Sequence, residues 1–235
     1  MWKGKKVSVV LPTYNEESNI FNAIHDFFES GYVDEIIVVD SDSKDNTKKE
    51  VARTKAIYIN ERKRGYGNAL MRGMAEATGE IIITSEPDNS FIGKDVLKFL
   101  VYSDDFDVVF GTRTSTALIW KDAKMNWFLR YGNVAVGKLL EYLHNGPCLT
   151  DVGCTFKLIK AGAYNKIRRK LTVGSSHFSP QFMLVAIRSR LKCVEIPVNY
   201  RGRIGESKIT SDFWKSFKLG MRMIFMIIGY RFKKV

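Results

Sequence analysis

Short apolar runs closed by polar turns recur along the first half of the chain and alternate with stretches of helical spacing. Residues 7–11 (VSVVL) run into Pro12-Thr13-Tyr14-Asn15-Glu16. Residues 34–40 (DEIIVVD) run into Ser41-Asp42-Ser43-Lys44-Asp45. Residues 79–91, GEIIITSEPDNSF, climb through an apolar segment and break off in Glu86-Pro87-Asp88-Asn89. A short apolar run with turn residues behind it predicts a strand buried on both faces. Between these runs the spacing predicts helices over 17–29, stopped by Gly31, then up to Arg53, and over 68–77 and 94–102. The third of these presents Ala69, Leu70, Gly73, Met74 and Ala77 on one face. Shorter strands are expected at 56–59 and 107–111. Such alternation predicts a parallel sheet covered by helices on both faces.

After Thr112-Arg113 the pattern is irregular to about Asp122 and predicts a loop. An amphipathic helix follows over 126–143, stopped by Asn145-Gly146-Pro147. Thr150-Asp151-Val152-Gly153-Cys154-Thr155-Phe156 leads into another strand, 178–190 is helical, and 193–198 is a strand. Residues 201–208, RGRIGESK, form a glycine-punctuated basic loop. No linker, repeat or low-complexity stretch divides 1–210, so it is expected to be one domain. The last helix, within 211–235, has a different character. Lys215, Lys218 and Arg222 form a stripe at i, i+3 and i+7, and Phe213, Trp214, Phe217, Met221, Ile224, Phe225, Ile227 and Ile228 cover most of the remaining circumference. That distribution suits a helix lying at a membrane interface; the alternative is a terminal helix docked on the sheet or at a dimer contact.

Composition narrows the classes. Apolar residues make up 45% of the 235 residues, enough for a sizeable core. Lys and Arg number 37 against 25 Asp and Glu, and the net charge of +12 points to an anionic partner. The three cysteines lack zinc-type spacing and are expected to be buried free thiols in a reducing compartment. Met1 to Lys6 leads straight into a strand, so no secretory leader is expected. No apolar run approaches the ~20 residues that span a bilayer.

If the strands ending at 12–16, 40–45 and 86–90 are parallel neighbours, their polar clusters share one edge of the sheet, where ligands bind in open α/β folds. Glu86 and Asp88 there suit a hard divalent cation that in turn holds a diphosphate; taken alone, the triplet is a charged turn. Gly65-Tyr66-Gly67 lacks the third glycine of a dinucleotide fingerprint. His25, His144 and His177 are scattered, and no serine elbow stands out. A non-enzymatic nucleic-acid binder would account for the positive charge but not for an acidic sheet edge.

VVLPTYNEESNI, IIVVDSDSKDNT, the glycine loop before a helix ending ATGE, and the strand closed by an acidic triplet together resemble the GT-A-fold family 2 glycosyltransferases. The later order DVVFGTR, TDVGCTF, EIPVNYRGRIGESK is most similar to the polyprenyl-phosphate sugar synthases, of the dolichyl-phosphate mannose synthase kind. The resemblance implies a mostly parallel α/β sheet with a C-terminal amphipathic helix and an inverting transfer from a nucleotide sugar. It implies a nucleotide-sugar pocket of Pro12, Tyr14, Glu16, Asp40, Asp42, Gly67 and Glu86. Asp88 and Glu86 would hold Mg²⁺ or Mn²⁺. Arg113, Arg130, Arg203 and Lys208 would meet the acceptor, and Asp151, Arg113 and Arg203 would serve catalysis. Asp151 stands where hydroxyl-glycosylating relatives keep a general base. With an ionised lipid phosphate as acceptor it would instead position the sugar or a basic side chain. A polyprenyl phosphate is the expected acceptor, with a sugar hydroxyl as the alternative. The expected location is cytoplasmic, peripheral on the cytoplasmic membrane face.

Overall fold

The computed structural model describes residues 1–123, 127–203 and 213–233. Lys208, the start expected for the last helix at Ser211, and the Lys215 side chain lie outside the described residues. Seven strands form one sheet: β1 (Val7–Thr13), β2 (Glu35–Asp40), β3 (Ile57–Asn60), β4 (Ile81–Thr84), β5 (Val108–Thr112), β6 (Lys157–Lys160) and β7 (Cys193–Pro197). Their order is β3-β2-β1-β4-β6-β5-β7. All pairings are parallel except those of β6, which runs antiparallel to both β4 and β5. The carboxyl ends of the other six strands therefore share one edge. The strand order reverses between β1 and β4, the crevice where such sheets take ligands.

Alternate residues of each strand feed opposite cores. Val10, Ile37, Val39, Ile82, Val108 and Phe110 face α3 (Tyr66–Glu76), α5 (Trp127–His144), α6 (Ala161–Ile167), α7 (Phe178–Arg188) and α8 (Phe213–Arg231). Val7, Val9, Leu11, Ile36, Val38, Ile81 and Ile83 face α1 (Ile20–Glu29), α2 (Thr47–Ala52) and α4 (Val96–Tyr102). This two-sided burial is why the strands read as unbroken apolar runs. On the second side the Phe156 ring packs against those of Phe99, Phe91 and Phe27 at centroid distances of 4.4, 5.2 and 6.0 Å. It pins the 150–156 loop, which carries Asp151, to the core.

The strand expected after residues 150–156 is β6, but it runs antiparallel to its neighbours, and α6 behind it was not expected. β6 is only four residues long and opens with Lys157, whose buried ammonium is held by the Cys154 carbonyl and by Ser179 Oγ at 2.8 Å. The thiols also differ from expectation: Cys154 is buried and Cys193 half-buried, but Cys148 is exposed, with Lys138 Nζ 3.3 Å from its sulfur. α8 contributes Met223 and Ile227 to the first core, while Trp214, Phe217, Phe225, Ile228 and Phe232 remain exposed. No helix among the described residues is long and apolar enough to cross a membrane.

Glu35 ties β2 to β1 and to the turn before β4. It accepts from Ser8 Oγ (2.5 Å), Thr78 N (3.0 Å) and Thr78 Oγ1 (2.8 Å), and pairs with Lys6 Nζ at 3.1 Å. Burial alone would raise its carboxyl, but these donors hold it down, from 4.5 to about 2. A folded-state value below the unfolded one means that the stabilisation is complete above about pH 4.5 and is lost as pH falls toward 2. The shift corresponds to roughly 3 kcal/mol. Glu35→Gln should therefore lose about 2–3 kcal/mol at pH 7, and the gap from wild type in urea unfolding should close on acidification. A gap unchanged between pH 7 and pH 3 would show that the ionised carboxylate is not what stabilises.

Candidate active site

The loops after β1, β2, β4 and β5 converge on a cavity of about 740 Å³ at the carboxyl edge of the sheet. Its near end is built from the first two loops. Asn15 takes a left-handed turn (φ 55°), its N–H donates to Ser43 Oγ at 2.7 Å, and its side-chain oxygen accepts from Lys44 N at 2.9 Å. Glu16 N donates to Thr47 Oγ1 at 2.9 Å. These bonds hold Pro12, Tyr14 and Glu16 in the cavity wall beside Ser41 and Arg64, whose guanidinium lies 5.8 Å from the centre of the Tyr14 ring.

The middle of the cavity carries the acidic triplet. Asn89 (φ 66°) makes the turn, and Ser90 N donates to Asp88 Oδ1 at 3.0 Å, fixing that carboxylate. Arg203 Nη2 lies between the two acids, 2.7 Å from Glu86 Oε2 and in contact with Asp88 Oδ2. Burial and the neighbouring Asp88 push the Glu86 carboxyl up to about 7 against the pull of Arg203. Two converging carboxylates with a guanidinium nitrogen touching both mark a place for positive charge. Hard oxygen donors suit Mg²⁺ or Mn²⁺. No third His, Cys, Asp or Glu joins them among the described residues. A cation held here therefore takes its remaining ligands from diphosphate oxygens or water, the usual arrangement for Mg²⁺.

Opposite the triplet, Asp151 is fully buried and forms a fork with Arg113. Nε donates to Oδ2 at 2.8 Å, Nη2 to Oδ1 at 2.9 Å, and the Arg113 backbone N–H to Oδ2 at 3.0 Å. Gly153 N adds a bond to Oδ1 at 3.0 Å. Burial alone would raise the Asp151 carboxyl, but the Arg113 guanidinium and its hydrogen bonds hold it below the usual carboxylate range. Asp151 is thus not placed to take a proton. Both oxygens are engaged in aiming Arg113, which lines the cavity while Asp151 does not. Of the two parts expected for it, base or holder of a basic side chain, these bonds match the second.

Behind this pair stands Glu195 on β7, which the sequence reading did not single out. It accepts from Thr150 N (2.8 Å), Thr150 Oγ1 (2.6 Å) and Asp151 N (3.1 Å). Its only sequence signal was an acid inside a strand.

Four other expected positions fall outside the cavity wall. Asp40 is buried and accepts from Ser43 Oγ (2.5 Å), Ser43 N (3.2 Å) and Tyr58 Oη (2.7 Å), so it braces the loop that presents Ser41. Asp42 is half-buried on a left-handed turn (φ 64°) and pairs with Lys44 at 2.8 Å and Arg64 at 3.7 Å. Gly67 is a packing glycine, because a Cβ there would come within 2.0 Å of the Val173 carbonyl oxygen. Arg130 lies beside its neighbour Tyr131, 5.8 Å from the ring centre, while Leu129, Gly132 and Asn133 form the α5 wall. Arg64 and Asn133 were not foreseen. Arg64 closes the basic run Arg62-Lys63-Arg64 before Gly65, the one pattern that hinted at it.

Comparison with known proteins adds family and fold. The family described as Glycosyl transferase family 2 matches residues 8–172. An uncharacterized protein of Methanocaldococcus jannaschii is 30% identical over 232 residues, covering 94% of this chain and 93% of that one. Among solved structures, glucosyl-3-phosphoglycerate synthase from Mycobacterium tuberculosis in complex with Mn²⁺, UDP and phosphoglyceric acid superposes with a TM-score of 0.69. It is 19% identical, with 97% of this chain and 78% of that chain covered. The same enzyme with Mn²⁺, UDP-glucose and phosphoglyceric acid gives 0.69 at 18% identity, covering 97% and 80%.

Proposed function

The chain belongs to glycosyl transferase family 2 and has the GT-A fold, and from that premise we propose that it moves a sugar, with inversion, from a nucleotide sugar to the phosphate of a membrane polyprenyl phosphate. One observation carries the choice of acceptor. The cavity does not end at Asp88 and Arg113 but continues between α5 and α8, where Leu129, Val136, Met223 and Ile224 make its wall apolar. Gly132 and Gly220 line this part from opposite helices, and a Cβ on either would meet nothing within 4 Å. An apolar cleft leading to a guanidinium matches a molecule with a hydrocarbon body and a phosphate head.

The parts divide as follows. Pro12, Tyr14, Glu16, Ser41 and Arg64 take the nucleoside end of the donor. Glu86 and Asp88 hold the cation, which when bound offsets charge on the leaving diphosphate. Arg113, aimed by Asp151, binds the acceptor phosphate and turns one of its oxygens toward the anomeric carbon. That oxygen is already ionised at neutral pH and needs no base, which accords with an Asp151 committed to Arg113. Arg203 stays beside the diphosphate. The outer face of α8, with Trp214, Phe225 and Phe232 alongside Lys218 and Arg222, supports peripheral contact with an anionic membrane.

Gly220→Phe tests the acceptor cleft. The ring would occupy the space between α5 and α8, raising KM for polyprenyl phosphate by roughly tenfold or more while leaving donor KM and metal dependence unchanged. An unaltered lipid KM would remove the cleft from the account. A second reading, a small phosphorylated acid as acceptor, is favoured by the phosphoglyceric acid bound in the Mycobacterium structures and by the cationic Arg64, Arg113 and Arg203 around the site.

A further inference from the structure

The helices α5, α7 and α8 end around a second cavity, of about 610 Å³, beside Cys193 at the start of β7. It therefore lies toward the amino end of the sheet, away from the acidic triplet. From Val136 to His144 along α5, and from Ile224 to Arg231 along α8, the two cavities are roughly 11–12 Å apart. The wall carries Arg188, Arg190, Arg231 and His144, and no carboxylate among the described residues.

Helix dipoles explain part of this charge, since each carboxyl terminus favours a nearby cation. Arg188 Nη2 donates to the Lys233 carbonyl at 2.5 Å and Nη1 donates to His144 Nδ1 at 3.5 Å, while His144 Nε2 donates to the Ile227 carbonyl at 3.0 Å, so the imidazole is neutral. The rest of the positive charge has no such partner. Arg188 Nε is buried without an acceptor, and neither Arg190 nor Arg231 has an ion pair among the described residues. Arg190 follows the end of α7 with φ 56°, the left-handed position usually given to glycine. An arginine there strains the backbone. Three guanidiniums around one cavity also repel each other, and an orphaned buried N–H is destabilising. A phosphoryl group would relieve both, because its oxygens accept the paired N–H bonds that guanidiniums offer.

We infer that Arg188, Arg190 and Arg231 form a second binding site beside His144, for a phosphoryl anion, joining the carboxyl ends of the two helices that line the acceptor cleft. The group comes either as free phosphate or as the headgroup of an anionic lipid.

The three histidines allow a test that separates the cavities. His144 reports on this one, His177 stands next to Ser176 in the wall of the first, and His25 is exposed beside Glu29. Inorganic phosphate is titrated into the full chain at constant pH and ionic strength, and the imidazole signals are followed by NMR. The expected result is a saturable shift of the His144 signals, weakened roughly tenfold for each of Arg190→Gln and Arg231→Gln, with the His177 response unchanged. Phosphatidylglycerol vesicles, against phosphatidylcholine vesicles, form the second arm. A shift that depends on Arg190 and Arg231 in this arm alone assigns the site to a headgroup, and in the first arm alone to free phosphate. Arg190 and Arg231 are both exposed, so both substitutions leave a folded protein in which the site can be read. A His144 signal that ignores both probes, or responds equally in the variants, overturns the site.

Discussion

Asp88→Ala should abolish metal-dependent turnover of the nucleotide sugar, by about 10³-fold or more, in a protein that remains folded. The estimate follows from chemistry at the leaving group. A cation on the diphosphate contributes several kcal/mol of charge stabilisation in the transition state, and each 1.36 kcal/mol is tenfold in rate. Asp88 is almost fully buried, with one oxygen accepting from Ser90 N and the other facing Arg203. Asp88→Asn keeps the turn and is the control for it. Release of nucleoside diphosphate is the readout, and Mn²⁺ binding by electron paramagnetic resonance checks the cause. Full activity of Asp88→Ala, or of the wild type in excess EDTA, would remove the metal from the mechanism.

Arg113→Ala should be the second most damaging change, because it acts on stability and activity together. It leaves Asp151, which has no exposed surface, without its counter-charge. Breaking one side of a buried pair costs about 3–5 kcal/mol. Arg113→Lys retains the charge but cannot make the two-pronged bond to Oδ1 and Oδ2. It should recover much of the stability and little of the transfer rate. Urea unfolding and initial rates, measured on the same preparations, separate the two effects. A lysine variant with wild-type rates would mean that the direction of the guanidinium does not matter.

The fold was legible because six strands point the same way and four of them, β1, β2, β4 and β5, are buried on both faces, which leaves an unbroken apolar signature between turn residues. β6 was expected as the strand that follows residues 150–156, but its antiparallel direction was not, because that is set by its pairing with β4 and β5. Within the site, positions fixed by the chain's own turns were readable. Pro12, Tyr14, Glu16, Glu86 and Asp88 each follow directly from a strand end and lie in the cavity wall. Asp40 has the same local pattern but is turned away by Ser43 and Tyr58, partners that only the β2–β3 pairing brings near. Gly67 lies outside the cavity wall for a similar reason. The backbone that requires it, at Val173, lies more than a hundred residues away in sequence. Glu195 and the wall formed by Gly132 and Gly220 depend entirely on tertiary packing. The split roles of Asp151 and Arg113 likewise came from geometry, since spacing alone cannot tell a proton acceptor from a clamp.

The most direct test of sugar transfer to a lipid phosphate is to incubate the full chain and Mn²⁺ with a panel of radiolabelled nucleotide sugars. Each is given polyprenyl phosphate, phosphoglyceric acid or no acceptor, and the products are partitioned between water and organic solvent. The account predicts that one donor's label moves into the organic phase only with polyprenyl phosphate present, and stays in water when EDTA is added. Label that remains in the aqueous phase for every donor, or joins phosphoglyceric acid instead, would contradict it.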